Sequence, residues 1–343
     1  MKNYFDIVDS LSVRNIEVNL GLSGGVVLHS GEQLKEYDCV YLKGSFRYAA
    51  LLHSIATCLI GKTYLPIHPH AYILGHDKLL TQLKLQQANV PMPTTYIASI
   101  ETSKEILQKI MYPIVLKFPH GTQGKGVMFA DSFSSASSMF DALSSIKQPF
   151  IIQEYVECNE SDIRAIVVGD NVVASMKRKA VRGEKRANIH AGGKGEPYQL
   201  SDYAKKIAIK AAHAVGAEIC GVDILESAKG PLVIEVNISP GIQGITSVTN
   251  IDVADEIAKY LARKTKEKQA AKTNTKGNSE SENTLLDLGI PDIDITKQIH
   301  TELDVKSKRI MLPSSVTELS KFSKGAEVAI SARRGEIIIK KGR

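Results

Sequence analysis

The sequence predicts an α/β protein of several parts, and three observations carry that prediction. Strand-like and helix-like stretches alternate through the first 262 residues, the pattern of an α/β body. The stretch KTKEKQAAKTNTKGNSESENT at 264–284 has no aromatic or branched aliphatic residue. It cannot offset its chain entropy by burial, so it reads as a flexible linker. Beyond it, alternating residues flanking K-G and R-R-G-E turn signals read as a small β module. The expected division is a preceding α/β domain at 1–76, a main body at 77–262, a disordered linker at 263–301 and the β module at 302–343.

Taken in order, the opening MKNYFDIVDSLS is polar and helix-like, with acidic residues where a signal peptide would carry its apolar core. DCVYLKG at 38–44 reads as a strand. YAALLHSIATCLIG at 48–61 is the most apolar stretch, yet it is shorter than the roughly 20 residues that span a bilayer and contains His53. DKLLTQLKLQQAN at 77–89 has helical spacing with Asp77 as N-cap. YPIVLKF at 112–118 and PFIIQEYV at 149–156 read as strands. DIRAIVVGDNVVASMKRKA at 162–180 reads as a hairpin turning at G-D-N. SDYAKKIAIKAAHAVG at 201–216 is a helix between Ser201 as cap and Gly216 as stop. CGVDILESAKG and PLVIEVN, at 220–237, form a second hairpin.

Composition excludes several classes. Hydrophobic content of 43% and charged content of 23% suit a globular protein without a membrane partner, and the expected location is the cytoplasm. Cys39, Cys58, Cys158 and Cys220 lie far apart and read as buried thiols. His68 and His70 have no matching cluster at zinc-like spacing. The net charge of +6 lies wholly in residues 263–343, which hold 17 basic and 11 acidic residues (17 − 11 = +6). GLSGG at 21–25 satisfies G-x-S-x-G, but VVLHSGEQ follows where the nucleophile elbow needs a helix, so Ser23 is not expected to act.

The chemistry gathers around PLVIEVNISPG at 231–241. Glu235 and Asn237 interrupt an apolar strand, and buried polar groups of this kind have partners. A local salt bridge is one partner; a metal ion is another. If the hairpin turn centres near residue 229, Asp223 faces Glu235, and Asn237 projects from the same face. Two opposed carboxylates and a neutral amide oxygen suit Mg²⁺, which keeps water and nucleotide phosphates in its remaining positions. HGTQGKGV at 120–127 has the glycines to bring backbone N–H groups to phosphate oxygens, and Lys117 precedes it. KRKAVRGEKR at 177–186, with six basic residues and one acid, suits substrate or phosphate binding.

From about residue 77 to 262 the chain resembles the ATP-grasp superfamily, and within it the RimK-type α-L-glutamate ligases. The resemblance rests on DKLLTQLKLQQANVPMPTT, IVLKFPHGTQGKGV, IIQEYVECNESDIRAIVVGD, KRANIHAGG, GVDIL and GPLVIEVNISPGIQGI, in that order. It implies an α+β ATP-grasp body of two lobes and an ATP- and Mg²⁺-dependent (or Mn²⁺-dependent) acid–amino-acid ligase. It implies phosphate-binding Lys78 and Lys117, and a lid at 121–126 with Gly121, Thr122, Gln123, Gly124 and Gly126. Glu154 and Tyr155 would line the adenine pocket, Asp162 would hold the ribose, and Arg186, Ala187 and Asn188 would approach the nucleotide. Asp223, Glu235 and Asn237 match the metal ligands. Arg164 and Arg178 are candidates for substrate carboxylates, Arg164 also for catalysis, and Ser239 and Gly241 for shaping the substrate side. The resemblance further implies L-glutamate as incoming amino acid; the acceptor stays open between a protein tail and a small molecule or coenzyme. RIMLPSSVTELSKFSKGAEVAISARRGEIIIKKG at 309–342 resembles the AbrB-like swapped hairpin. Its apolar face of Val316, Leu319, Phe322, Val328, Ile330, Ile337 and Ile339 implies homo-oligomerisation. DNA contact by Arg333, Arg334, Lys340 and Lys341 is the alternative, in which the grasp domain of a regulatory protein senses ATP.

Overall fold

The computed structural model describes residues 1–21, 24–119, 126–145, 147, 149–158, 161–179, 194–274, 304–306, 309–311, 328–333 and 336–341. The chain divides into two compact units, Met1–Glu282 and Asn283–Arg343. The mixed α/β architecture agrees with the expected class. Among the described residues, no helix is long and apolar enough to cross a membrane.

Among the described residues, the first unit holds three antiparallel sheets. A small one, ordered β1-β2-β3, is built from Ile16–Gly21 (β1), Gly24–His29 (β2) and Glu32–Gln33 (β3). Helix α1, Ala49–Leu59, buries Leu52, Ile55 and Ala56 in this region. Since a strand, not a helix, follows residues 22–23, the G-x-S-x-G pattern has no elbow; Ser23 itself lies outside the described residues.

The second sheet, ordered β4-β7-β5-β6, uses Thr95–Tyr96 (β4), Ile114–Lys117 (β5), Val127–Ala130 (β6) and Ile151–Glu154 (β7). Helices Ile100–Lys109 and Phe133–Ser145 cover it through Leu107, Ala136, Phe140 and Leu143. The third sheet, ordered β10-β9-β8-β11-β12, uses Ser161–Val168 (β8), Asn171–Lys179 (β9), Lys194–Pro197 (β10), Ile219–Ser227 (β11) and Gly230–Asn237 (β12). On one face Ile163, Ala165, Val222 and Val236 pack with Ala208 and Ala211 of the helix Asp202–Ala214. On the other, Ile166, Val168, Met176 and Ile219 pack with Val253, Ile257 and Leu261 of the long helix Val253–Asn274, here α8. The third sheet thus packs one face on the helix Asp202–Ala214, while its other face is apolar only at one end.

Local signals account for the expected elements. The Asp77 carboxylate accepts from Leu79 N at 2.7 Å and Leu80 N at 3.1 Å, capping Lys78–Gln87. Ser201 Oγ accepts from Ala204 N at 3.2 Å, and Gly216, at φ +75°, ends the helix that follows.

Three expectations differ from the structure. The opening residues make a turn at Met1, with Tyr4 N and Phe5 N donating to its carbonyl, in place of a helix. Residues 38–44 form no strand beyond a parallel bridge between Cys39 and Tyr64, because the segment then leaves to meet residues 239–240. Helix α8 continues to Asn274, eleven residues into the stretch expected to be linker. Ala, Lys, Glu and Gln are strong helix formers even without apolar bulk. Arg263 and Glu267 pair along this helix at 2.6 Å, Thr265 is buried, and Lys268 Nζ donates to Thr63 O at 2.8 Å.

In the second unit, Asp304–Lys306 pairs with Arg309–Met311, and Val328–Arg333 with Glu336–Lys341. The expected final hairpin is present, with Ile330 opposite Ile339 and Ala332 opposite Ile337. Val316, Leu319, Phe322 and Arg334 lie outside the described residues.

Candidate active site

The polar end of the third sheet carries the site. Asp223 stands opposite Glu235, and Gly221 opposite Asn237, in the β11–β12 ladder. The turn itself joins Ser227 to Gly230, which in a regular ladder would set Asp223 against Ile234. A bulge between Asp223 and Ile224 adds one residue on β12 and moves Glu235 into the facing position. The expected register is therefore present, but the bulge supplies it.

Strands β8 and β9 bring two arginines to the same face. Arg164 donates through Nε and Nη2 to Asp223 Oδ1 and Oδ2, at 2.8 Å and 2.7 Å. Arg178 donates to Asp162 through the same two nitrogens, both at 2.6 Å, and its Nη2 also lies 2.9 Å from Asp223 Oδ2. These are the forked, charge-assisted contacts in which arginine is strongest. Burial pushes the Asp223 carboxyl up, but the two guanidiniums outweigh it and hold the group well below the ordinary carboxylate range. Asp162 is pushed up to about 6, by burial and then by the Asp223 charge against the pull of Arg178. The guanidiniums expected to meet substrate carboxylates are thus committed to carboxylates of the chain, and Asp162 faces Arg178.

Glu235 is half-buried, and no described residue forms an ion pair with it. Asn237 Oδ1 accepts from Ser239 N at 3.0 Å, which orients the amide oxygen. Asp223 Oδ1 keeps a lone pair beyond its single arginine contact. Hard oxygen donors from adjacent strands on one face are the chemistry Mg²⁺ takes, so the residues present fit the ion.

The second sheet brings one cation, Lys117, near Glu235, and the helix Lys78–Gln87 brings Lys78 near Lys117. Lys117 ends β5, and its ammonium donates to Gln153 Oε1 at 2.6 Å; Gln153 Nε2 in turn donates to Thr95 Oγ1 at 2.8 Å. Burial lowers the Lys117 pKa to about 8, with the nearby Glu235 charge opposing and Lys78 assisting. Lys78 opens its helix with its N–H on Pro119 O at 3.1 Å. Glu154 N and Tyr155 N donate to Thr94 O at 2.9 Å and Pro113 O at 3.2 Å, so neither N–H is spare for an adenine edge. Gly126, at φ +77°, takes a conformation that a side chain would strain, and a Cβ there would meet Phe118 at 2.4 Å. Gly121, Thr122, Gln123, Gly124, Arg186, Ala187 and Asn188 lie outside the described residues.

Gln153, Thr95 and Lys43 escaped the sequence reading. Gln153 carried a usable signal, because it breaks the apolar run IIQE as Glu235 breaks its own. Lys43 Nζ donates to Pro240 O at 3.0 Å, and Gly44 N to Ser239 Oγ at 3.2 Å, tying the N-terminal region to the loop after β12. Gly241 in the same loop borders open space.

Comparison with known proteins gives the family and the fold. Residues 75–261 match the model of the RimK-like ATP-grasp domain. A protein from Mannheimia succiniciproducens named "Probable alpha-L-glutamate ligase" is 38% identical over 234 residues, covering 67% of this chain and 78% of that one. A protein of the same name from Cellvibrio japonicus is 35% identical over 254 residues, covering 73% and 84%. The solved ATP-grasp ligase PsnB with its minimal precursor has a TM-score of 0.57 at 20% identity, over 72% of this chain and 86% of PsnB. That likeness speaks to the fold.

Proposed function

Since the chain belongs to the RimK-like ATP-grasp family and is a ligase of the acid–amino-acid class, we propose that it joins L-glutamate to an acceptor carboxylate through an acylphosphate. The observation that carries the reading is the facing pair Asp223 and Glu235, with Asn237 beside it, Lys117 near Glu235 and Lys78 near Lys117. The acceptor carboxylate attacks the γ-phosphorus of ATP and ADP leaves; the glutamate amine then attacks the acyl carbon, phosphate leaves and the amine proton passes to solvent. Both steps gather negative charge, so fixed cations rather than a side-chain nucleophile suit them. Asp223, Glu235 and Asn237 would hold Mg²⁺, which neutralises phosphate oxygens when bound. Lys117 and Lys78 bind phosphates, and Glu154 and Tyr155 border the base. Arg164 and Arg178 hold Asp223 and Asp162 in place. Use of ATP suits a cytoplasmic protein.

The test is an acceptor screen with ATP, Mg²⁺ and L-glutamate, read by mass spectrometry for an added glutamyl unit and by product nucleotide. ADP and phosphate, released only with acceptor and glutamate together, are expected. AMP and pyrophosphate would exclude the acylphosphate.

Lys117 gives the nucleotide step a pH dependence. Its ammonium is charged below about pH 8 and neutral above. Bound phosphates favour the charged form, so above pH 8 binding must take up a proton. Affinity for a non-hydrolysable ATP analogue is expected to fall as pH rises through 8, by up to about tenfold per pH unit. Calorimetry in buffers of different ionisation enthalpy checks it; flat affinity from pH 7 to 9.5 would contradict the role.

We assign the C-terminal unit to assembly, as its AbrB-like resemblance implies. Fewer than about 70 residues rarely supply a sufficient core alone. Light scattering is expected to show the full chain as an oligomer and the chain ending at Glu282 as a smaller species. Equal assembly of both would remove the tail from this role, and DNA retention by the full chain alone would favour the nucleic-acid alternative.

A further inference from the structure

Resting on the glutamate-ligase reading, we propose that Lys43 of the N-terminal region binds the side-chain carboxylate of the incoming L-glutamate. Lys43 is exposed, and among the described residues no carboxylate pairs with it; the Pro240 carbonyl takes one of its three donors, and its ammonium lies over the Tyr41 ring, 5.9 Å from the centroid. A lysine ammonium held on a neutral carbonyl keeps two donors for an anion, and a charge-assisted pair is stronger than the bond to the carbonyl.

The position is close to the chemistry. Gly44 N donates to Ser239 Oγ, and Ser239 N donates to Asn237 Oδ1, so Lys43 sits at the end of a hydrogen-bonded path from a candidate metal ligand. The same loop lies near Arg164: a Cβ on Gly221 would meet Pro240 Cβ at 3.2 Å and Arg164 Nε at 3.8 Å. Arg164 and Arg178 are bound on both forks by Asp223 and Asp162. The glutamate amine must reach the acyl carbon beside the metal, and the α-carboxylate shares its carbon. The side-chain carboxylate lies two methylenes further out and needs a cation set back from the metal. Lys43 adjoins Gly44 on the path through Ser239 and bonds the same loop at Pro240, one contact removed from Asn237.

The experiment titrates L-glutamate and L-glutamine into the full chain loaded with Mg²⁺ and a non-hydrolysable ATP analogue. Wild type is expected to prefer glutamate. Lys43→Met should weaken glutamate binding about 10–100-fold, the worth of one charge-assisted hydrogen bond, and leave glutamine binding unchanged. Lys43→Arg should keep the preference. A Lys43→Met protein that still prefers glutamate, or loses both amino acids equally, overturns the assignment while the ligase reading stands. Wild type that binds neither overturns both. If Lys43→Met does not fold, acetylation of wild-type Lys43 is read by mass spectrometry. Protection by glutamate and not by glutamine supports the contact, and equal labelling with either rejects it.

Discussion

Glu235→Ala is expected to lower turnover by about 10²–10³-fold or more while the protein stays folded. Glu235 is half-buried and no described residue forms an ion pair with it, so its loss breaks no network. It does remove the carboxylate facing Asp223 and the negative charge that helps keep Lys117 protonated. Activity should not return at high Mg²⁺, and nucleotide binding should shift to lower pH. Asn237→Ala deletes a neutral donor and should cost less. Equal turnover of wild type and Glu235→Ala at saturating Mg²⁺ would reject Glu235 as a ligand.

Asp223→Ala should act on stability as well as activity. It leaves the Arg164 guanidinium without its fork partner and takes from Arg178 one of two carboxylates, in a place where the Arg178 side chain is 4% exposed. Removing one member of a buried pair typically costs about 3–5 kcal/mol. For a unit of this size that corresponds to a fall in Tm of roughly 6–20 °C. Asp162→Ala should cost less, because Arg178 retains Asp223. Thermal melts of the three proteins without nucleotide measure this directly, and an unchanged Tm for Asp223→Ala would mean that water replaces the lost carboxylate.

Much of this arrangement was legible in the residues. The Asp77 and Ser201 caps, the apolar strands and the pairing of 220–227 with 230–237 as a hairpin all follow from local periodicity and turn chemistry. What was not legible depends on contacts distant in sequence. Arg164 and Arg178 looked like cations awaiting substrate because their partners are brought to them by the sheet, Asp223 by β11 and Asp162 across the hairpin. Residues 38–44 have the composition of a strand, but no neighbouring ladder extends past Cys39. The bulge on β12 has no glycine to announce it. The helical reach of α8 was hidden because scarcity of apolar residues marks a poor core, whereas helix propensity and docking decide whether such a segment coils.

Helix α8 also has a consequence for the order of events during synthesis. Tyr4 OH donates to Asp255 at 2.8 Å, and the Thr63 carbonyl receives Lys268. The earliest residues of the chain are thus closed over by some of the last residues of the first unit. On a ribosome, the N-terminal region must wait until most of that unit has been made before its final contacts exist. Domains generally fold in the order they emerge, but this one is finished from behind. The N-terminal region and the ligase body should accordingly melt in a single cooperative transition, and a stalled chain ending before residue 250 should present the N-terminal region to chaperones and proteases.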